Sequence, residues 1–309
     1  MKIDWHTHVN DPIEAALPHW QGRCPMTLER VFEAHDDTGL DVSVISSTVT
    51  YSSKMTSPKD VLAAIENSNR YLASCRDKNP EKIAAMATCV PGGGDTQLRE
   101  LERAVKEDGL RAVIITSSFQ GHYPDADEAK PFFKLVTDLD IPVFIHPGDV
   151  APETTRDYRL TSSIARPGDL CLSVARLIVR GIFEQFPSLK LVASHVGGGI
   201  CEVIGRMDFA YTMIDELYFL GPYEPVLIKH PPSHYLKKMY FDSACYYAPA
   251  ARMCVESVGA DHVLLGTDAP PLNAIKRKGI AVLDEIGLSA ADKAKIMGGN
   301  AKRLLKLRI

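Results

Sequence analysis

The chain has 309 residues, enough for one large α/β core or two smaller ones. Its hydrophobic share of 45% and charged share of 24% are those of an ordinary globular enzyme, and a net charge of −4 leaves no basic surplus to neutralise nucleic-acid phosphates. No apolar run reaches the roughly 18 residues of a membrane span, no secretory h-region opens the chain, and seven cysteines without a C-x-x-C pair imply reduced thiols; a cytoplasmic protein is expected.

The first predicted strand, Lys2–Trp5, runs directly into His6-x-His8. Residues i and i+2 of a strand share a face, so two imidazoles stand together as half of a metal site. Alone, the pattern is equally compatible with two incidental histidines. Seven more apolar runs follow: Asp41–Ser47, Lys82–Thr88, Leu110–Thr116, Ile141–Ile145, Leu189–Ser194, Met239–Ser243 and His262–Thr267. They are nearly continuous rather than alternating, as strands buried on both faces of a parallel sheet require.

Helical patterns lie between them at Pro58–Lys78, Asp95–Glu107, Asp127–Leu139, Ser173–Gln185, Pro249–Val258 and Ala290–Leu307. Eight strands alternating with helices predict a single (β/α)8 barrel domain over residues 1–309, of the TIM type, with loop insertions at its C-terminal face. A doubly wound open sheet is the runner-up, but no strand leads into G-x-G-x-x-G or a Walker loop. The longest connections, Val9–Asp37, Gly148–Leu170 and Gly197–Lys238, all follow strand C-terminal ends, where barrel enzymes build their pockets.

Ligand-type residues gather at those same ends. His6 and His8 end the first strand, His146 the fifth in Phe-Ile-His-Pro-Gly, His195 the sixth in Ser-His-Val-Gly-Gly-Gly, and Asp268 the eighth in Gly-Thr-Asp-Ala-Pro. Each has a bland alternative as a turn or cap residue. Barrel closure would bring all five to one mouth, and neutral imidazoles with one carboxylate suit Zn²⁺ or another divalent transition ion. His35, His262, His230 and His234 read as structural or solvated, whereas His122 could reach the pocket.

These motifs resemble the amidohydrolase superfamily, and more narrowly its amidohydrolase-2 branch, which includes aminocarboxymuconate semialdehyde decarboxylase. The stretch Ser173–Arg206 carries the branch's helix, Phe186-Pro187 turn, strand and His-Gly-Gly pattern, and Phe241-Asp242 and Ile296–Leu305 fit as well. The resemblance implies one divalent metal, usually zinc, on His6, His8, His146 and Asp268, with His195 beside it as acid/base group. Two-metal members carry a lysine at the fourth strand end, where this chain has Thr116-Ser117-Ser118, so one metal is implied. The resemblance also suggests a homodimer.

The lead expectation is a zinc-dependent decarboxylase of a small carboxylated substrate, with His195 and Asp268 as catalytic residues. The alternative is hydrolysis of a lactone, amide or activated carbonyl; the third is hydration of an unsaturated acid. From a different class, a catalytically inactive binding protein on the same scaffold would leave buried ligands at a cost in stability. Candidate substrate contacts are Arg166, Arg23, His19, Trp20 and Phe119, with Arg156, Arg159 and Tyr51 as further loop candidates. An arginine among them would hold the substrate carboxylate in a bidentate contact.

Overall fold

Each predicted apolar run becomes a parallel strand: β1 Ile3–His8, β2 Val42–Ser46, β3 Ile83–Thr88, β4 Ala112–Thr116, β5 Val143–His146, β6 Leu191–Ala193, β7 Tyr240–Asp242 and β8 Val263–Leu264. They hydrogen-bond in sequence order as one eight-stranded sheet. The sheet closes on itself where Leu265 O accepts from Trp5 N (2.8 Å), His6 O from Asp268 N (3.0 Å) and Ala269 O from His8 N (2.8 Å). This is a (β/α)8 barrel. The computed structural model describes residues 1–17, 20, 22–51, 57–216, 221–223, 225–270 and 276–308.

The lack of alternation in the runs has a plain cause. Trp5, Val44, Met86, Ile114, Phe144, Val192 and Leu264 fill the barrel interior, plugged at its base by Ala301, Leu304 and Leu305. Their strand neighbours, such as Val113, Ile115, Val143, Ile145 and Leu191, join the helix layer outside. Most strand positions on both faces are therefore apolar, the exceptions gathering on β1, β2 and at strand ends.

Strand β1 departs from this regularity at the residues that matter. Asp4 pairs with Ser43 but Thr7 with Ile45, so β1 carries one extra residue between them. A bulge of this kind reverses the facing of all that follows. Ile3 and Trp5 point into the barrel below it, and beyond it His6 lies against Phe144, with ring centroids 5.1 Å apart. The buried Asp4 carboxylate fastens the irregularity: it accepts from His6 N (3.1 Å), Thr7 Oγ1 (3.0 Å), Thr267 N (3.0 Å) and Thr267 Oγ1 (2.5 Å).

The connections hold α1 Pro12–Ala15, α2 Leu28–Thr38, α3 Pro58–Lys78, α4 Asp95–Lys106, α5 Lys130–Asp138, α6 Arg166–Val179, α7 Ile182–Gln185 and α8 Ile200–Thr212. Four predicted elements differ in kind or extent. The helix expected at Asp127–Leu139 opens as a 3-10 turn over Asp127–Ala129 before α5. The helix expected at Ser173–Gln185 is two, starting earlier at Arg166 and broken where Gly181 turns left-handed (φ 71°). The helix expected at Ala290–Leu307 is interrupted by a π turn over Lys295–Gly299, where the Ile296 carbonyl turns to accept from Leu265 N (2.9 Å). The eighth strand is shorter than His262–Thr267: beyond Leu264 the backbone N–H groups turn away from the ladder, Leu265 N to Ile296 O (2.9 Å) and Gly266 N to Ser243 Oγ (3.2 Å). Among the described residues no helix is long and apolar enough to cross a membrane.

Candidate metal centre

Barrel closure assembles the strand-end residues. His6, His146, His195 and Asp268 each offer a ligand atom, all within 4.8 Å of one another. His8 completes the group, its Nε2 3.1 Å from His6 Nε2 and 3.3 Å from Asp268 Oδ1. Asp268 Oδ1 lies 3.2 Å from His6 Nε2, and its Oδ2 lies 4.0 Å from His195 Nε2. His6, His8 and His146 are buried, whereas the His195 and Asp268 side chains are 19% and 16% exposed. Those two line the side from which a substrate can arrive.

The second nitrogen of every ring is committed to an acceptor. His6 Nδ1 meets Asp242 Oδ2 at 2.7 Å, and His195 Nδ1 donates to Ala244 O at 2.8 Å. His146 Nδ1 donates to Pro147 O at 3.1 Å. His8 Nδ1 meets Ser46 Oγ at 3.1 Å; that hydroxyl gives its own hydrogen to Thr7 O, so it accepts from the ring. With each Nδ1 carrying the hydrogen, four Nε2 lone pairs face one another and a carboxylate. Such an array is stable only around positive charge.

The electrostatics say the same. Burial disfavours charge on His6, yet Asp242 and Asp268 outweigh it and push its pKa up to about 10. Burial drives His8 down to about 4 and His146 well below the ordinary range, and it lowers His195 as well. Burial would favour the neutral Asp268 acid, but His6, His8 and His195 hold it well below the usual carboxylate range. Without an ion, His6 is therefore the one ring held as a cation, while His8, His146 and His195 rest neutral around an ionised Asp268, so a proton on His6 supplies the positive charge that the donor set calls for. A divalent ion fits this donor set.

Local backbone geometry places these groups. His195 and Asp268 both adopt left-handed conformations (φ 49° and 58°), a strain that marks functional sites. After His195 the chain stays left-handed through Val196, Gly197 and Gly198 before α8 begins. A side chain on Gly198 would overlap the carbonyl oxygen of Pro167, so the glycine run lets this turn sit against the start of α6.

Asp242 is the residue that strand-end reading left without a role. Its Oδ2 holds His6, and its Oδ1 accepts from His195 N (2.8 Å) and Ala244 N (3.0 Å). The signal was present: Asp242 ends the seventh strand as His146 and Asp268 end theirs.

The remaining candidates are more dispersed. Arg166 donates from Nε to Gly148 O (3.0 Å) and from Nη2 to Pro147 O (3.1 Å). Arg23 stacks over the Trp20 ring at 5.5 Å. Arg156 pairs with Glu153 at 2.8 Å, and Arg159 lies in the same exposed loop. Phe119 lines two cavities of about 420 and 460 Å³ beside the strand ends, one of them shared with His122. His6, His8, His146, His195 and Asp268 line neither of these two cavities. His35 Nε2 meets Ser43 Oγ and His262 stacks on Tyr240, both away from the cluster. His19 and the side chain of Tyr51 lie outside the described residues.

A barrel with such a centre at its C-terminal mouth defines a class of metal-dependent hydrolases and lyases. The chain belongs to the amidohydrolase family, whose family model matches residues 3–307. It is 27% identical to 2-amino-3-carboxymuconate-6-semialdehyde decarboxylase of Dictyostelium discoideum over 280 residues, 90% of this chain and 76% of that one. It is 24% identical to gamma-resorcylate decarboxylase of a Polaromonas species over 311 residues, 94% and 90% of the two chains. Among solved structures, manganese-bound 5-carboxyvanillate decarboxylase of Novosphingobium aromaticivorans superposes with a TM-score of 0.85 at 22% identity, covering 99% and 96%.

Proposed function

We propose that this protein is a metal-dependent decarboxylase of a small carboxylated substrate with an aromatic or conjugated skeleton. The observation that carries the reading is the convergence of four Nε2 atoms and the Asp268 carboxylate, with His195 and Asp268 on the open side. The two curated relatives above, matched over nine-tenths of this chain, are both decarboxylases of such acids. We assign His6, His8, His146 and Asp268 as the residues that would hold one divalent ion, and zinc as that ion on its preference for imidazole with a carboxylate. The manganese in the structural neighbour belongs to that protein and makes metal identity a point to measure.

Bound there, a divalent ion supplies Lewis-acid charge that holds substrate oxygens and stabilises negative charge developing on them. The chain's own residues move the proton. Asp268 is ionised in the resting site and accepts hydrogen bonds or a proton from the substrate. His195 rests neutral with Nδ1–H on Ala244 O, so its Nε2, on the solvent-accessible side, can take a proton from water and deliver it to the carbon bearing the carboxylate. A C–H bond forms at that carbon and the C–C bond to the carboxylate breaks. Its electron pair returns to the conjugated system as CO₂ leaves.

The test is a panel of hydroxybenzoates, carboxymuconates and lactones offered to zinc- and manganese-loaded protein. Release of CO₂ from a carboxylated member is expected; lactone opening without CO₂ from any acid would overturn the reading in favour of hydrolysis. A homodimer is part of the same proposal. Helix α8 and the residue after it expose Val203, Phe209 and Met213 individually, apolar side chains that contact with a second copy would cover, and light scattering separates dimer from monomer.

A further inference from the structure

The segment His146-Pro147-Gly148 leaves β5 with its backbone polar groups held from two sides. On one side, Ser117 N donates to His146 O at 2.7 Å, and Ser117 Oγ accepts from Gly148 N at 2.9 Å. On the other, Arg166 donates to Pro147 O at 3.1 Å and to Gly148 O at 3.0 Å. The same Pro147 oxygen accepts from His146 Nδ1. Ser117 is itself oriented by Asp169, whose Oδ2 accepts from Ser117 Oγ (2.5 Å) and Ser118 Oγ (2.9 Å) and whose Oδ1 accepts from Tyr123 OH (2.6 Å). Gly148 lies so close to β4's end that a Cβ there would come within 2.6 Å of Ser118 O.

Arg166 and Asp169 stand one turn apart at the start of α6, so a single helix face reaches both sides of the segment. We infer that Arg166 and Asp169 are positioning residues that aim His146 at the metal centre through its backbone, and that Arg166 serves this purpose rather than the substrate carboxylate. The physical reason is orientation. The carbonyl that fixes the hydrogen on His146 Nδ1 is held in place by the guanidinium, so loosening it frees the ring to turn its Nε2 away. Groups that orient a ligand in this way are worth about 10- to 100-fold in metal affinity.

The inference rests on the metal-site reading, and the experiment separates the two. Zinc affinity is measured by competition with a chromogenic chelator for the wild type, Arg166→Met, Arg166→Lys, Asp169→Asn and Lys134→Met, the last an exposed control on α5. KM and kcat follow at saturating metal. If the wild type binds no divalent ion, the metal-site reading fails. If it binds, Arg166→Met and Asp169→Asn are expected to lose about 10- to 100-fold in affinity. Arg166→Lys, which can still reach one carbonyl, should recover part of that loss, while Lys134→Met stays at the wild-type value. Wild-type affinity in Arg166→Met together with a tenfold or larger rise in KM would overturn the inference and return Arg166 to the substrate. Should Arg166→Met fail to fold, Ser117→Ala removes the side-chain bonds on the opposite side, from Gly148 N and to Asp169, while the Ser117 N bond to His146 O stays, and a loss of affinity in the same direction is expected.

Discussion

His195 and Asp242 show how much of the site is set one side chain at a time. Asp242 uses one oxygen to orient the His6 ring and the other to hold the backbone of His195, so one carboxylate aligns the proposed ligand His6 and the proposed proton-transfer group His195 together. His195 keeps its Nδ1 on a carbonyl and turns its Nε2 to the open side. Replacing His195 with Asn removes the proton carrier and leaves the proposed ligands in place. Metal content should stay near wild type while turnover falls by about 10²-fold or more, the usual scale for a lost acid/base group. Stopped assays with metal analysis on the same samples check this, and unchanged turnover would remove His195 from the mechanism. Strand-end position alone pointed to His195; its division of labour between two nitrogens depends on Ala244, which lies 49 residues away.

At the scale of elements, the bulge in β1 and the docking of α1 are the two devices that build the mouth. Asp4 takes hydrogen bonds from four donors, two of them on Thr267, so it locks β1 to the residue preceding Asp268. Asp4→Ala strands those donors in the interior at a cost of roughly 3 kcal/mol or more, since each unmet buried donor costs about 1–3. Urea unfolding measures it; a loss under about 1 kcal/mol would show that the bulge does not depend on Asp4. Helix α1 docks through Glu14, which accepts from Ser47 Oγ (2.9 Å) and Thr48 Oγ1 (2.6 Å) on the loop after β2. Burial raises the Glu14 pKa from 4.5 to about 7, against the opposing pull of those hydroxyls. The folded chain therefore holds this proton more tightly than the unfolded chain, and the stability it contributes below pH 4.5 is lost as pH rises through about 7. In Glu14→Gln that dependence disappears, so the stability difference between wild type and variant should drift by on the order of 2–3 kcal/mol across that window. Unfolding curves at several pH values follow it, and parallel profiles would exclude Glu14 as the source.

For the whole molecule, the centre ties together β1, β5, the turn after β6 and the residues after β8, so an ion bound there stabilises the closed barrel directly. Chelation should lower the melting temperature by on the order of 5–10 °C, reversibly on adding zinc, because free ion at a thousandfold excess over Kd contributes about 4 kcal/mol. Identical melting with and without chelator would contradict the metal assignment. The barrel and the identity of its five convergent residues were legible in the chain because both are local patterns: apolar runs buried on two faces, and His or Asp immediately after them. The run Asp41–Ser47 predicted β2 within a residue, and the helix Pro58–Lys78 has the predicted ends. Pairing across the chain was not legible. In a regular β1 with Ile3 and Trp5 facing inward, His6 and His8 would face the helices; the extra residue opposite Ser43–Ile45 turns them to the centre. Likewise, an arginine in a pocket loop looks the same in the sequence whether it meets a substrate carboxylate or two backbone carbonyls. The sequence by itself determined which residues could form the centre, since their types and strand-end positions are properties of short segments. Only the tertiary structure decided how they face one another and what orients them, because register and hydrogen-bond partners arise between segments that meet only when the barrel closes.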